Sequence, residues 1–412
     1  MPEPVFVLGG AQTDFARNWA REGLGIDAMM REVLDEGLAA TGLEHRELQS
    51  VHVGNFTAEL FCGQGQLGGI VASLHPDLSG VPTSRHEAAC ASGSMAMLAA
   101  TAEIEAGRYD LIAVLGVEYM RNVPGQRAAE YLGAAAWAGR EWQDATYVWP
   151  AAFNDLIAAY SEKYGRVDYA HLGEIARINY ENGRRNPFSQ TRKWQFNERS
   201  FTEDDEANPP IEGRVRRNDC GQVTDGAAVV FLASRRFAEA WAKKRGLGAE
   251  ALAKVDGWGH RTAPMLLSEK LEESRNSRFV LPQVHQTIRE AFARAGIDSP
   301  FQLDAIETHD CFAMTEYAAI DSYGITEPGE SWKAVEDGTI AAGGKLPINP
   351  SGGLIGLGHP VGATGVRMML DGWKQVTGNA QDCQVEGAKR VGLLNIGGST
   401  TTIASFVVGQ AG

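Results

Sequence analysis

Apolar residues along this chain recur at two spacings. Short runs dominated by apolar residues at 5–10, 51–56, 109–117, 227–234, 305–310, 390–398 and 401–409 read as buried strands, because a strand covered on both faces has no polar side to alternate with. Segments 26–42 and 280–296 instead place apolar residues at helical spacing and end in Gly42 and Gly296, the usual C-terminal stop. Many of the 48 glycines stand beside β-branched runs, where tight strand-to-helix turns use backbone conformations open to glycine. The pattern predicts a layered α/β fold.

The two halves resemble each other. Residues 90–107 read as a small-residue helix followed by the run at 109–117, and residues 358–376 as a glycine-rich helix start followed, after a loop, by the run at 390–398. Gly, Ala and Ser on the early turns of both helices let two backbones approach closely, so the pair is expected at the centre of a duplicated core. Segment 121–218 breaks the pattern. It holds several Trp and Tyr, a helical stretch at 150–165 and a polar, charged run at 179–210, and it reads as an insertion over one face. The expected units are an N-terminal half at 1–120 completed by 219–235, an inserted loop domain at 121–218, and a C-terminal half at 236–412.

Composition narrows the function classes. At 412 residues, with 44% hydrophobic and 22% charged, the chain suits two or three folded domain-sized units and not a disordered or fibrous protein. A net charge of −14 argues against general affinity for nucleic acid or anionic lipid. Five cysteines, Cys62, Cys90, Cys220, Cys311 and Cys383, form no CxxC pair and no zinc-ligand spacing, which fits a reducing compartment. The opening residues lack a basic start followed by a long apolar run, no stretch of about 18 apolar residues occurs, and the last three residues are not a Ser-Lys-Leu address. A cytoplasmic protein without a membrane span is expected.

Two motifs fail on context. GQGQLG (63–68) matches G-x-G-x-x-G, but a dinucleotide fingerprint is answered about 20 residues later by an acid at a strand end, and that position falls in HEAAC (86–90). A zinc site on His86, Glu87 and Cys90 lacks a second His/Cys cluster to complete it. Four other places carry chemistry. Cys90 precedes the small-residue helix, where free N–H groups and the helix dipole are expected to lower a thiol pKa. THDCFAMTE (308–316) puts His309, Asp310 and Cys311 at a strand exit, as proton-transfer groups, with Asp310 open to a plain capping role. In NPSGGLIGLGHPVGATG (349–365) glycines pin a loop in which His359 precedes Pro360 at a helix start. LLNIGGS (393–399) leaves a strand through glycines whose N–H groups suit an oxyanion.

Together, CASGSMA from Cys90, HDCF at 309–312, GHPVGATG at 358–365 and NIGG at 395–398 stand in the order and at the separations seen in thiolases. The chain resembles the sterol-carrier-protein type in particular, and SEKYG (161–165), NPFSQ (186–190) and CGQVTDGAAVVFLAS (220–234) carry the resemblance over nearly the whole length. It implies a thiolase fold: a duplicated five-layered αβαβα sandwich of two mixed five-stranded sheets, with 121–218 as the loop domain. It also implies roles: Cys90 as the acylated nucleophile, His359 as the histidine that activates it, and Cys311 as the acid/base. His309 stands where most thiolases have an oxyanion-site asparagine, and Gly397 with the Cys90 N–H resembles a second oxyanion hole. Common thiolases carry the acid/base cysteine where this chain has Asn395, so the thiol has moved to Cys311. Ser399 departs from an all-glycine turn, and neither it nor His86 receives a role.

The implied activity is reversible Claisen chemistry on 3-ketoacyl-CoA, with coenzyme A as substrate and no metal, flavin or nicotinamide needed. A homodimer or homotetramer is implied. The alternatives are a ketoacyl-synthase-like condensing enzyme, and an acyl-CoA- or lipid-binding subunit acting with a small zinc-ribbon and OB-fold partner. Residues in contact with CoA are not fixed, although Arg184, Arg185, Arg192 and Lys193 are available to phosphates.

Overall fold

The computed structural model describes residues 3–411. Its main strands are β1 (Val5–Gln12), β2 (Ser50–Gly54), β3 (Thr83–His86), β4 (Leu111–Glu118), β5 (Gly226–Ser234), β6 (Ala253–Thr262), β7 (Ala305–Thr308), β8 (Arg390–Gly397) and β9 (Thr402–Gln410). The helices that frame the site are α1 (Ile26–Thr41), α2 (Leu67–Leu74), α3 (Ser92–Glu105), α4 (Val148–Tyr164), α5 (Tyr169–Arg185), α6 (Pro282–Ala295), α7 (Ala313–Tyr323) and α8 (Thr364–Val376). Every run read as a strand from the apolar pattern is a strand. No helix among the described residues is long and apolar enough to cross a membrane.

The duplication is visible in the strand order. In the N-terminal half β3-β2-β4-β5-β1 are neighbours, with β2 parallel to β3 and β4, and with β5 antiparallel to β4 and β1. The C-terminal half repeats this as β7-β8-β9-β6 with the same directions. Where the first half has β3, the second has a single parallel bridge, Ile306 to Ile348. Pro347 and Pro350 flank Ile348, and proline lacks the N–H that would extend the ladder, so the fifth strand of this sheet shrinks to one bridge. The two sheets also meet edge to edge: β1 pairs with β6 through Phe6–Lys254 and Val7–Ala253, giving one continuous nine-stranded order.

Three hydrophobic cores alternate with the two half-sheets, which produces the five layers. One lies under α1 and α2 and includes Met29, Leu34 and Val71 against Val53, Leu115 and Phe231. The central one joins Met97 and Ala100 of α3 to Val366 and Met369 of α8, and it touches both half-sheets through Val114, Val230, Leu393 and Phe406. The third packs α6 and α7 on the C-terminal sheet and takes in Phe153, Leu156 and Ile175 from α4 and α5. Helices of the 121–218 segment therefore share a core with the C-terminal half.

β3 and β6 are missing from the apolar pattern, each for a local reason. β3 is a four-residue edge strand of half-buried polar side chains. β6 carries Gly257 and Gly259, where a Cβ would come within 2.1 Å of the Ala291 and Thr287 carbonyl oxygens on α6. Those glycines admit the helix and at the same time erase the strand signal.

At the centre, α3 and α8 meet at their N-terminal turns as expected. A Cβ on Gly93 would lie 2.8 Å from the Gly362 oxygen and 2.9 Å from the Val366 nitrogen, and one on Gly365 would lie 2.4 Å from the Ser94 nitrogen. These are backbone atoms held in both half-cores and cannot swing aside. Gly93→Ala should therefore cost about 1–3 kcal/mol, read as a fall in the urea midpoint; an unchanged midpoint would show that the two helices do not make this contact.

Candidate active site

Cys90 sits in a one-turn 3-10 segment, Ala89–Ala91, between β3 and α3. Ala89 has φ +50°, a left-handed conformation that costs a side-chain-bearing residue free energy and needs outside support. Ser92 supplies it: its Oγ accepts from the Ala88 N–H and donates to the Ala89 carbonyl at 2.6 Å. Glu87 accepts from the Ala89 N–H. The turn thus delivers the sulfur at the N-terminus of the central helix.

His309 and Cys311 follow β7 directly, in the loop before α7. Asp310 between them is buried and accepts from the backbone N–H of Leu354 and Ile355 and from Asn179 Nδ2. Its carboxyl is a clamp: it ties the loop of Cys311 to the turn 353–357 that leads into His359. Burial raises its pKa to about 7. Asp310 does not cap the helix that follows it, whose N-cap is Phe312; its bonds run to a second loop instead. His359 itself is held by its backbone N–H, which donates to Thr224 Oγ1, while its Nδ1 lies 2.6 Å from Thr364 Oγ1. Its Nε2 is buried without a partner.

These elements converge. The Cys90 sulfur and one ring nitrogen from each of His309 and His359 lie within 4.8 Å of one another. Cys90, Cys311, His359 and Gly398 line a cavity of about 400 Å³ whose remaining wall is largely apolar, with Leu132, Tyr147, Trp149, Phe153, Phe312 and Val361. The three-member cluster has the residue types of a soft-metal site, and the same groups are close enough for proton transfer and attack on a bound group.

Gly398, next to Gly397, lines the cavity. A Cβ on Gly397 would strike the Ala88 oxygen at 2.2 Å, so this residue lets the strand end press against the Cys90 turn. The backbone N–H that reaches the Cys90 sulfur belongs to Gly398, with the N–H of Cys90 itself. The hairpin end bearing these glycines is pinned from behind by Lys270, only 1% exposed, whose Nζ donates to Ser399 Oγ at 2.7 Å, Thr401 Oγ1 at 2.9 Å and the Met265 carbonyl. Lys270 gave no signal in the sequence, because a lone lysine in a polar helix reads as surface; Ser399 was visible only as a departure from glycine.

Electrostatics overturn one expectation. The N–H groups of Gly398 and Cys90 pull the Cys90 pKa down, but burial outweighs them and pushes it up to about 12, with Glu118 adding to the rise. Burial, with the Arg367 charge second, lowers His359 to about 3. Cys311 is held well above the ordinary thiol range by burial and by Cys90, and His309 well below the ordinary imidazole range by burial, His359 and Arg367. The resting pair is therefore neutral thiol and neutral imidazole. Of the four cations available to phosphates, Arg192 is paired with Asp14 at 2.8 Å, and none lines the cavity; the cation in its wall is Arg217. His86 bonds His52 Nδ1 and Ser84 Oγ, each at 2.9 Å.

Comparison with known proteins gives concordant results. Residues 5–184 match the family model described as thiolase, N-terminal domain, and residues 267–410 the one described as thiolase C-terminal domain-like. The chain is 31% identical over 408 residues to an acetyl-CoA acetyltransferase of Methanothermobacter thermautotrophicus, covering 98% of each. It is 28% identical to sterol carrier protein 2 of Homo sapiens, covering 98% of this chain and 72% of that protein. In fold it matches the Ltp2-ChsH2(DUF35) aldolase at a TM-score of 0.77 and 18% identity, over 100% of this chain and 98% of that one. It matches the acetyl-CoA acetyltransferase of Syntrophomonas wolfei at 0.69 and 18%, over 100% of both.

The neutral resting state has a measurable sign. A thiol with its pKa near 12 gains thiolate about tenfold per pH unit below that value. The rate of Cys90 alkylation by iodoacetamide should thus keep climbing between about pH 7 and pH 10. A plateau reached by pH 7 would instead reveal a preformed thiolate–imidazolium pair.

Proposed function

This chain belongs to the thiolase family and is an acyltransferase, and from that premise we propose that it catalyses the reversible thiolytic cleavage of 3-ketoacyl-CoA through an acyl group on Cys90. The supporting observation is the cavity shared by two cysteines and by the histidine whose Nε2 has no protein partner. In the degradative direction, the Cys90 sulfur attacks the 3-keto carbon while its proton passes to His359 Nε2. The tetrahedral alkoxide collapses, the C2–C3 bond breaks, and its electron pair leaves on an acetyl-CoA enolate. Cys311 gives its thiol proton to C2, which frees acetyl-CoA and leaves a Cys311 thiolate beside acyl-Cys90.

The second half restores both groups. Incoming CoA loses its thiol proton to Cys311 and attacks the acyl carbon, and the expelled Cys90 sulfur takes back the proton held on His359. Sulfur replaces sulfur, so the acyl transfer runs with little energetic drop. No electron is gained or lost overall. Each step passes through an oxyanion, for which the Gly398 and Cys90 N–H groups and the two imidazoles are the available donors; losing one such donor typically costs about 3 kcal/mol of barrier. The apolar wall of Trp149, Phe153 and Phe312 suits the acyl chain, and Arg217 with Gln222 suits the polar end of CoA. The reading extends to a homodimer or homotetramer, checked by light scattering. A partner-dependent form, with a small zinc-ribbon and OB-fold protein, draws support from the likeness in fold to the Ltp2-ChsH2(DUF35) assembly and is checked by assaying with and without such a protein.

Two variants separate the roles. Cys90→Ser should abolish the mass adduct formed on incubation with acetyl-CoA. Cys311→Ala should still form it, while thiolysis of 3-ketoacyl-CoA falls by about 10²–10⁴-fold, the range of a lost acid/base group. Normal thiolysis by Cys311→Ala, or an adduct on Cys311 in Cys90→Ser, would reverse the assignment.

A further inference from the structure

Asn395 lies on β8 inside the site, and the mechanism above leaves it without work. It is 2% exposed, like His309 beside it, and Ser94 on α3 is fully buried. The Ser94 hydroxyl donates to Asn395 Oδ1 at 2.7 Å, and Asn395 Nδ2 lies 3.2 Å from His309 Nδ1. The contact exists only because residue 365 is glycine: a Cβ there would lie 2.4 Å from Ser94 Oγ and 2.7 Å from Asn395 Oδ1. The three side chains form a sealed line from the central helix to the ring that faces Cys90.

We propose that Ser94 and Asn395 are positioning residues that hold His309 in the tautomer with its proton on Nε2, so that the two imidazoles of the site sit in opposite tautomers, His309 as a hydrogen-bond donor and His359 as a base. The inference rests on the thiolase reading. An amide nitrogen has only hydrogens to offer, so His309 Nδ1 meets Asn395 Nδ2 with its lone pair and the neutral ring carries its hydrogen on Nε2. The Ser94 hydroxyl donates to Oδ1 and anchors the amide from the side of the central helix. Among the described residues no group bonds His309 Nε2, which leaves that nitrogen as the one free to face the sulfur.

His359 is set the other way. Thr364 Oγ1 also reaches the Pro360 carbonyl, at 3.2 Å. Its hydrogen goes to that oxygen, and its lone pair accepts from His359 Nδ1–H. The lone pair on His359 Nε2 is then free to take the thiol proton. The rings stand edge to face with centroids 5.4 Å apart, close enough for one oxyanion to meet the donor while the base serves the sulfur. Burial supports the assignment by keeping both rings uncharged. A chain that has given up the cysteine at position 395 has thus acquired an amide there that directs its neighbour.

The test is the tautomer itself, read by two-bond ¹H–¹⁵N correlation on histidine-labelled protein, with the His309 signals assigned by their loss in His309→Asn. In the unaltered protein Nδ1 should show the shift of a bare ring nitrogen and Nε2 that of an N–H. Asn395→Asp, which can only accept, should move a proton onto Nδ1. Asn395→Ala should slow acylation of Cys90 by acetyl-CoA by about 10- to 100-fold, the cost of a misplaced group at a reacting centre, with iodoacetamide alkylation of Cys90 within twofold of the unaltered rate. Ser94→Ala, a milder change, should slow acylation in the same direction. A protonated Nδ1 in the unaltered protein, or acylation by Asn395→Ala at the unaltered rate, would overturn the proposal. Failure of the unaltered protein to acylate Cys90 at all would sink the thiolase chemistry, and the NMR signals would still decide the tautomer.

Discussion

The site exists because two helix starts approach each other with nothing but backbone between them. Gly93 on α3 and Gly362 and Gly365 at the head of α8 leave no room for a Cβ, and Gly54 and Gly116 on the strands beneath are equally tight against Gly93 and Ala363. Each helix carries its reactive residue just ahead of its first turn, Cys90 on one and His359 on the other. Closing the gap between the helices therefore brings the sulfur and the imidazole together as a consequence of packing. The duplicated fold presents one helix start from each half at this contact, and the chemistry is assembled from what the two halves carry there.

That arrangement places many polar groups in the interior, and several of them tie distant segments together. Glu118, at the end of β4, accepts from the Phe56 and Thr57 N–H groups and Asn55 Nδ2 on one side and from the Gly362 N–H on the other. One carboxyl so ties the loop after His359 to the N-terminal half. Arg367 on α8 has no exposed side-chain surface and pairs with Glu307 at 3.1 Å and Asp371 at 2.9 Å. A buried ion pair of this kind adds little net stability once desolvation is counted. Its consequence is local: the guanidinium charge adds to burial in keeping His359 and His309 unprotonated. Desolvation keeps sulfur and rings neutral at rest, and the same dry setting makes each N–H donor stronger toward charge that develops during reaction.

Specificity enters from outside this frame. The apolar wall of the cavity comes largely from 121–218, through Leu132, Tyr147, Trp149 and Phe153, with Phe312 stacked on Phe153 at 4.4 Å. Because α4 and α5 share a core with the C-terminal half, this wall is anchored to the same body that carries Cys311 and His359, and the shape of the acyl pocket is fixed relative to the acid/base group.

By itself the sequence determined the strands that are buried on both faces, the helices with a clean apolar stripe, and the three motifs that hold Cys90, His309, Cys311 and His359, because these depend on residue type and local spacing. It also announced the small-residue helix pair. Tertiary structure alone decided what depends on distant neighbours. Glycines in β6 look like breaks until α6 is seen lying on them, and Pro347 and Pro350 show their effect only as a strand that fails to form. The Cys90 thiol is raised and not lowered, since burial by the whole fold exceeds the pull of the nearby N–H groups. Lys270 grips the hairpin beyond Gly397 and Gly398, a contact that no local pattern announces. Asn395 drew notice only as the replacement for a cysteine, and Ser94 lies far from it in the chain; packing through Gly365 is what makes them a pair, for a hydrogen bond needs a partner in space and the order of residues cannot name one.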